Sequence, residues 1–166
     1  MSNAAIFNAF AALVNTFAAN ATPALTVGYD DVNFTPPESG HWLEVRFFPN
    51  ETDTYSIDDS GLTLLRGFVQ VCACNRPSLG IVAGLELAEA IVNTFPRGSE
   101  IGGATVEKKA YQSSVLQELA KVSHPVTIEY RAASTNESLY ALFLYGGAPD
   151  QIDSRASALA IFGGGP

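Results

Sequence analysis

Charged residues, and basic ones above all, are scarce in this sequence. Only 16% of its 166 residues are charged, whereas soluble domains average ~25%. Nine residues are Lys or Arg against 17 Asp or Glu, and the net charge is -8. Because phosphate binding relies on clustered Lys and Arg, this balance argues against a conventional nucleic-acid-binding protein. With few charges to cover the outside, some apolar surface is expected to contact a partner rather than water.

Cysteine and histidine are nearly absent, which limits the possible metal and redox chemistry. The two cysteines, Cys72 and Cys74, are separated by one residue, and so short a loop closes a disulfide badly. A zinc site needs four ligands, and besides this cysteine pair the sequence offers only two distant histidines, His41 and His124. The sequence therefore predicts no metal and no other cofactor, and a reducing compartment such as a cytosol, at least during assembly.

Signals for membranes and secretion are also missing. The start, Met1-Ser2-Asn3-Ala4, lacks the basic region of a signal peptide. No stretch reaches the ~18 uncharged apolar residues of a membrane span. We therefore expect neither a leader peptide nor a membrane partner.

A catalytic constellation cannot be assembled from the sequence. His41 and His124 are the candidate bases, and neither lies in a catalytic signature. The carboxylate pairs Asp30-Asp31 and Asp58-Asp59 lie in turn-like stretches, where Asp is favoured because it bonds its own backbone. The prediction is a non-enzymatic protein. The opposing hypothesis is a small enzyme that uses Cys72, Cys74, His41 or His124.

Two helices and several strands are predicted from the periodicity of apolar residues. The first helix covers Asn3–Asn20 and is capped by Ser2 or Asn3. The second opens at Pro77-Ser78, with Ser78 as its cap. Their apolar stripes are Ile6, Phe10, Leu13, Val14 and Phe17, and then Ile81, Leu85, Ala88, Val92 and Phe95.

Alternation of apolar and polar residues predicts the strands. The candidates are 25–29, 42–48, 54–57, 62–74, 104–108 and 125–130, with a helical turn or two at 113–122. The runs 42–48, 54–57 and 62–74 are spaced like an antiparallel meander. The predicted fold class is α+β, with an antiparallel or mixed β-sheet flanked by two main helices.

Beyond Ala132 the pattern weakens, so we predict a domain at 1–132 and a C-terminal extension or arm at 133–166. The extension is apolar but divided by glycines, and such a segment cannot form a core of its own. It either contacts another subunit or a partner protein, or completes the sheet edge of its own subunit. The candidate contact residues are Leu139, Leu142, Phe143, Tyr145, Ile161 and Phe162.

The middle of the chain resembles a known family. The matching stretches are HWLEVRFF at 41–48, GFVQV at 67–71, AEAIVNTFPRG at 88–98 and PVTIEYRA at 125–132. In the order of its elements and in the Phe-Pro-Arg-Gly exit of the second helix, the sequence is similar to the tail terminator proteins of long-tailed, siphovirus-type bacteriophages. The resemblance covers most of the chain but not the residues beyond Ala132.

The resemblance implies a structural virion protein without catalytic residues. It implies a ring, hexameric in the family, that caps the tail tube at its head-proximal end and ends tail polymerisation. The expected partners are further copies of the chain, the tail tube protein and a head–tail connector or completion protein. The alternative is another ring of the phage neck or tail.

DNA would cross such a ring only as passing cargo. A basic channel would retain the phosphates, so a net negative lumen is expected. Asp58 and Asp59 are the candidate acidic turn that faces the channel, and the competing interpretation is a solvated outer turn.

Overall fold

A computed structural model describes residues 1–54 and 63–134. These residues form two helices and nine strands, which we number along the chain. The helices are α1 (Asn3–Asn20) and α2 (Val82–Thr94). The strands are β1 (Thr26–Tyr29), β2 (His41–Pro49), β3 (Asp53–Thr54), β4 (Thr63–Asn75), β5 (Glu100–Ile101), β6 (Ala104–Val106), β7 (Tyr111–Gln112), β8 (Leu116–Gln117) and β9 (Val122–Ser134).

All the described strands belong to one sheet with the order β1-β2-β4-β9-β6-β5. Strand β1 runs parallel to β2, and the remaining pairs are antiparallel. The sheet is therefore mixed, and the predicted α+β class is confirmed. The long strands β2, β4 and β9 form its centre, as their alternation predicts.

The predicted meander is wrong in one respect. Strands β2 and β3 both pair with the same edge of β4, because β9 occupies the whole other edge. Pro49 pairs with Gly67, and Asp53 pairs with Leu64 further along β4. Strands β2 and β3 therefore run in the same direction along β4, and the segment between them does not reverse the chain.

Helix α1 forms as its sequence predicts. The Ser2 hydroxyl accepts a hydrogen bond from the Ala5 backbone N–H (3.3 Å), which satisfies one of the donors that a helix start leaves free. The face on the sheet is fully buried at Ile6, Phe10 and Val14. Leu13 and Phe17, also in the predicted stripe, are half-buried at its margin.

Helix α2 starts later than predicted and presents a different face. Ser78 and Gly80 both have positive φ (73° and 82°), so the chain there is a turn, and Ser78 does not cap the helix. The buried helical positions are Gly84, Ala88 and Ile91. Two members of the predicted stripe, Ile81 and Leu85, are exposed instead. The physical reason is His124 of β9, whose ring occupies the space of a Cβ at position 84, so that only glycine can face it.

The helical turn predicted for 113–122 is also wrong. Strands β7 and β8 pair with the first half of β9 in that region, with Tyr111 opposite Thr127 and Leu116 opposite Ser123. This half of β9 extends beyond β6, so its backbone groups need other partners. Pairing with distant residues outweighs the local helical pattern here.

An aromatic stack joins both helices to the sheet. Phe10 of α1 stacks on Phe95, which follows α2, with ring centroids 5.9 Å apart. Phe10 also contacts Tyr130 of β9, which in turn stacks on Phe47 of β2 at 5.6 Å. These rings are the centre of the core between the two helices and the sheet.

Candidate assembly surfaces

The face of the sheet turned away from α1 and α2 is polar over much of its length. Side chains there alternate with core residues along β2, β4 and β9, and Arg46, Gln70 and Thr127 form one row across it. A cavity of about 600 Å³ opens on this face, lined among others by Arg66 and Lys108. We call this surface the open face.

Paired charges cover the open face. The Lys121 ammonium donates to Glu44 at 2.7 Å, and the Trp42 indole N–H donates to the same carboxylate at 3.1 Å. Burial alone would raise the pKa of Glu44, but the hydrogen bonds from Lys121 and Trp42 and the nearby cations lower it below its usual value. Lys108 pairs with Glu129 at 2.7 Å. This part of the surface is therefore close to neutral, although the chain is acidic.

A second apolar cluster lies at one end of the open face. It consists of Trp42, Cys72 and Cys74, with Phe34 packed against it. The guanidinium of Arg76 lies 5.4 Å from the centre of the Trp42 ring. The same guanidinium donates to the carbonyls of Pro36, Pro37 and Ala120, and so ties two loops to this end of the sheet.

Both cysteines are free and buried. Burial raises the pKa of the Cys72 thiol to about 11 and that of Cys74 to about 12. Both are therefore protonated thiols at neutral pH, whereas nucleophilic or metal-binding cysteines act as thiolates. Within residues 1–54 and 63–134, no group of three His, Cys, Asp or Glu residues could hold a metal ion.

The two histidines are buried or half-buried on the helix-covered face rather than in exposed loops. His124 is fully buried beneath Gly84, and its Nδ1 lies 3.5 Å from the Gln112 amide. The Nε2 atoms of His41 and His124 and Oδ1 of Asn75 are buried without a hydrogen-bond partner among the described residues. Burial, and secondarily the charge of His41, lower the pKa of His124. The neutral imidazole therefore fills space under α2.

Exposed aliphatic side chains are concentrated at the start of α2. Leu79, Ile81, Val82 and Leu85 are 51%, 48%, 63% and 37% exposed. We call these four residues the α2 patch. A weak signal for this patch is present in the sequence, since Ser78 and Gly80 flank Leu79 just before an apolar run. The apolar stripe of the predicted helix places Ile81 and Leu85 in the core instead.

Comparison with known proteins identifies the family. A family model described as phage tail terminator protein matches residues 5–130. The chain belongs to the phage tail terminator family. The resemblance noted in the sequence is thereby confirmed, and the protein is a component of the phage tail.

Solved structures support the same fold for this tail terminator. Six chains of known structure match it. One of them superposes with a TM-score of 0.64 at 26% identity, over 79% of this chain and 95% of that chain. No curated protein matches.

The residues predicted for the functional sites of this tail terminator lie outside the described part of the chain. Asp58 and Asp59 fall between its two described ranges, and the six apolar contact residues from Leu139 to Phe162 follow them. Their roles stay predictions, as does the division at Ala132. In the described residues, neither helix is long and apolar enough to cross a membrane.

Proposed function

We propose that this tail terminator forms a ring, hexameric as in the family resemblance, at the head-proximal end of the tail. There the ring caps the tail tube, ends its polymerisation and joins the tail to a head–tail connector or completion protein. The family match over residues 5–130 carries the proposal. The α2 patch supports it, because contiguous apolar surface on a soluble protein marks a contact site.

A closed ring needs two different contact surfaces on each subunit. Head-to-tail contacts between unlike surfaces generate rings when the rotation closes. The α2 patch lies at the Asn75 end of β4. An apolar groove of about 360 Å³, lined by Phe7, Val45 and Phe47, lies nearer the other end of β2. We propose the C-terminal residues Leu139, Leu142, Phe143, Tyr145, Ile161 and Phe162 as further contacts to a neighbouring subunit or the tube.

Passage of DNA as cargo sets a condition on the channel. The net charge of -8 per subunit supports a net negative lumen, which repels phosphates, and Asp58 and Asp59 are the proposed acidic contributors. A channel lined mainly by Arg46, Arg66, Lys108 or Lys109 would contradict this part of the proposal.

Light scattering and tube-capping assays test the function. In size-exclusion chromatography with light scattering, a ring has a mass several times the 17.6 kDa of the chain, six times for a hexamer. Added to polymerising tail tube protein, it should shorten the tubes and appear at one tube end by negative stain. A monomer that leaves tube length unchanged contradicts the proposal.

A further inference from the structure

The α2 patch is shaped by the backbone rather than exposed by chance. The positive φ of Ser78 and Gly80 on either side of Leu79 turns the chain outward before the helix starts. Ile81 then occupies the N-cap position without a side-chain hydrogen bond to the first turn. Four aliphatic side chains therefore lie around a helix start that no side chain among the described residues caps.

Polar groups without partners lie beside these aliphatic side chains. Asn75 is 1% exposed, and its Oδ1 accepts no hydrogen bond from the described residues. Asn75 lines a cavity of about 190 Å³ with Ser78, Gly80, Ile81, Gln117 and Val122. A helix start offers free backbone N–H donors, and Oδ1 is an acceptor. Donors and an acceptor side by side match the alternating C=O and N–H groups of an extended peptide.

We propose that the α2 patch binds residues Leu139–Tyr145 of a neighbouring copy of this chain. The inference rests on the proposed ring and names one of its contacts. The segment, LYALFLY, is uncharged and supplies Leu139, Leu142 and Phe143 as anchors. Its backbone supplies an N–H for Asn75 Oδ1 and carbonyls for the first turn of α2.

The reach of the chain places this contact between copies rather than within one. Strand β9 starts at Val122, opposite Asn75 and the patch, and ends at Ser134, opposite Thr63. Its twelve steps of ~3.3 Å span about 40 Å. Leu142 follows Ser134 by eight residues, which extend to at most about 29 Å. At that distance Leu139 and Leu142 fall short of the patch of their own subunit, which favours the patch of an adjacent copy as their binding site.

Two full-length variants test the contact. The patch variant carries Val82→Glu and Leu85→Glu, at exposed positions where the fold should persist. The segment variant carries Leu142→Glu and Phe143→Glu. Leu119→Glu is the matched control, because Leu119 is 104% exposed and lies outside the patch. Circular dichroism melting verifies that each variant is folded.

We expect the unsubstituted chain and the control to form rings and each variant alone to have the mass of one subunit. Mixed in equal amounts, the variants should form a one-to-one complex and stop there. The intact segment of the patch variant binds the intact patch of the segment variant. The complex then carries only a substituted patch and a substituted segment, so this contact cannot continue the ring. Light scattering distinguishes these masses.

The outcomes separate this inference from the proposed function. Rings that persist in both folded variants overturn the inference and leave the ring function standing. Variants that stay monomeric when mixed also overturn it, since a segment bound within its own subunit, or a different partner on the patch, gives no such complex. An unsubstituted chain that is monomeric and does not cap tubes contradicts the proposed function and the inference together.

Discussion

The imidazole of His124 lies directly beneath Gly84, in the space that a Cβ on that residue would occupy. This contact sets the distance between α2 and the central strand β9. It also selects the face of α2 that is buried, since the helix must turn its one glycine towards the ring. The exposure of Val82 and Leu85 in the α2 patch follows from that rotation.

Replacing Gly84 with alanine should destabilise the fold. In an exposed helix the same change stabilises by about 1 kcal/mol, because glycine is the poorer helix former. Here the added methyl overlaps the His124 ring, and overpacking costs roughly 1–3 kcal/mol. Urea unfolding measures the difference. In a His124→Ala background, Gly84→Ala should become neutral or stabilising. A loss of stability that is the same in both backgrounds would contradict the overlap.

Acidification from pH 7.5 to 5.5 should destabilise the protein through His124. Burial holds its folded-state pKa below the ordinary 6.5, so the unfolded chain binds more protons in this window. The contribution of the neutral His124 to the unfolding free energy is therefore fully present above pH 6.5. It declines as the pH falls towards the folded-state pKa. One such group contributes a slope of at most about 1.4 kcal/mol per pH unit.

The control for this pH effect is His124→Gln, which keeps a neutral polar side chain. Its stability should change less between pH 7.5 and 5.5, and His41→Gln tests the contribution of the neighbouring imidazole. Glu44 does not interfere, because its lowered pKa places its own loss of stability at a more acidic pH. An unfolding free energy of the unsubstituted chain that is constant over this window would contradict the buried neutral imidazole.

Local sequence predicted those elements whose residues carry their own signal. Helix α1 has a capping serine and a regular stripe, and β2, β4 and β9 alternate over many residues. The start of α2 could not be predicted, because Ser78 has a positive φ and a serine in a sequence does not indicate that conformation. The face of α2 that is buried depends on the contact of Gly84 with His124, which is distant in the sequence. A pattern of large apolar residues contains no information about that contact.

Dependence on distant contacts also explains why the sequence did not predict strands β7 and β8 or the α2 patch. Strands β7 and β8 are two residues long each and exist through pairing with β9. The α2 patch consists of residues that any hydrophobicity pattern assigns to the interior.

The ion pair between Lys121 and Glu44 should contribute more to stability than the pair between Lys108 and Glu129. The side chains of the first pair are 19% and 17% exposed, whereas that of Lys108 is 65% exposed. Losing Lys121 removes the closest cation from a partly buried carboxylate, which keeps only the Trp42 indole and Arg46 at 3.9 Å, so Lys121→Met should cost about 1–3 kcal/mol. An exposed pair contributes ~0–1 kcal/mol. Equal losses for Lys121→Met and Lys108→Met in chemical unfolding would contradict the ranking.

Removing the hydroxyl of Tyr130 should not destabilise the fold, which is unusual for a central tyrosine. The side chain is fully buried, its hydroxyl has no hydrogen-bond partner among the described residues, and burial raises its pKa to about 12. A buried hydroxyl without a partner costs about 1–3 kcal/mol, so Tyr130→Phe removes a penalty while the ring keeps its stacking on Phe47. We expect an unfolding free energy that is unchanged or higher by up to about 2 kcal/mol.

Tyr29→Phe is the control, since the Tyr29 hydroxyl donates to Asn15 at 2.9 Å and its loss should destabilise slightly. A clear loss of stability in Tyr130→Phe alone would contradict this prediction, because it would show that the hydroxyl, which lies beside Gly67, makes a stabilising hydrogen bond.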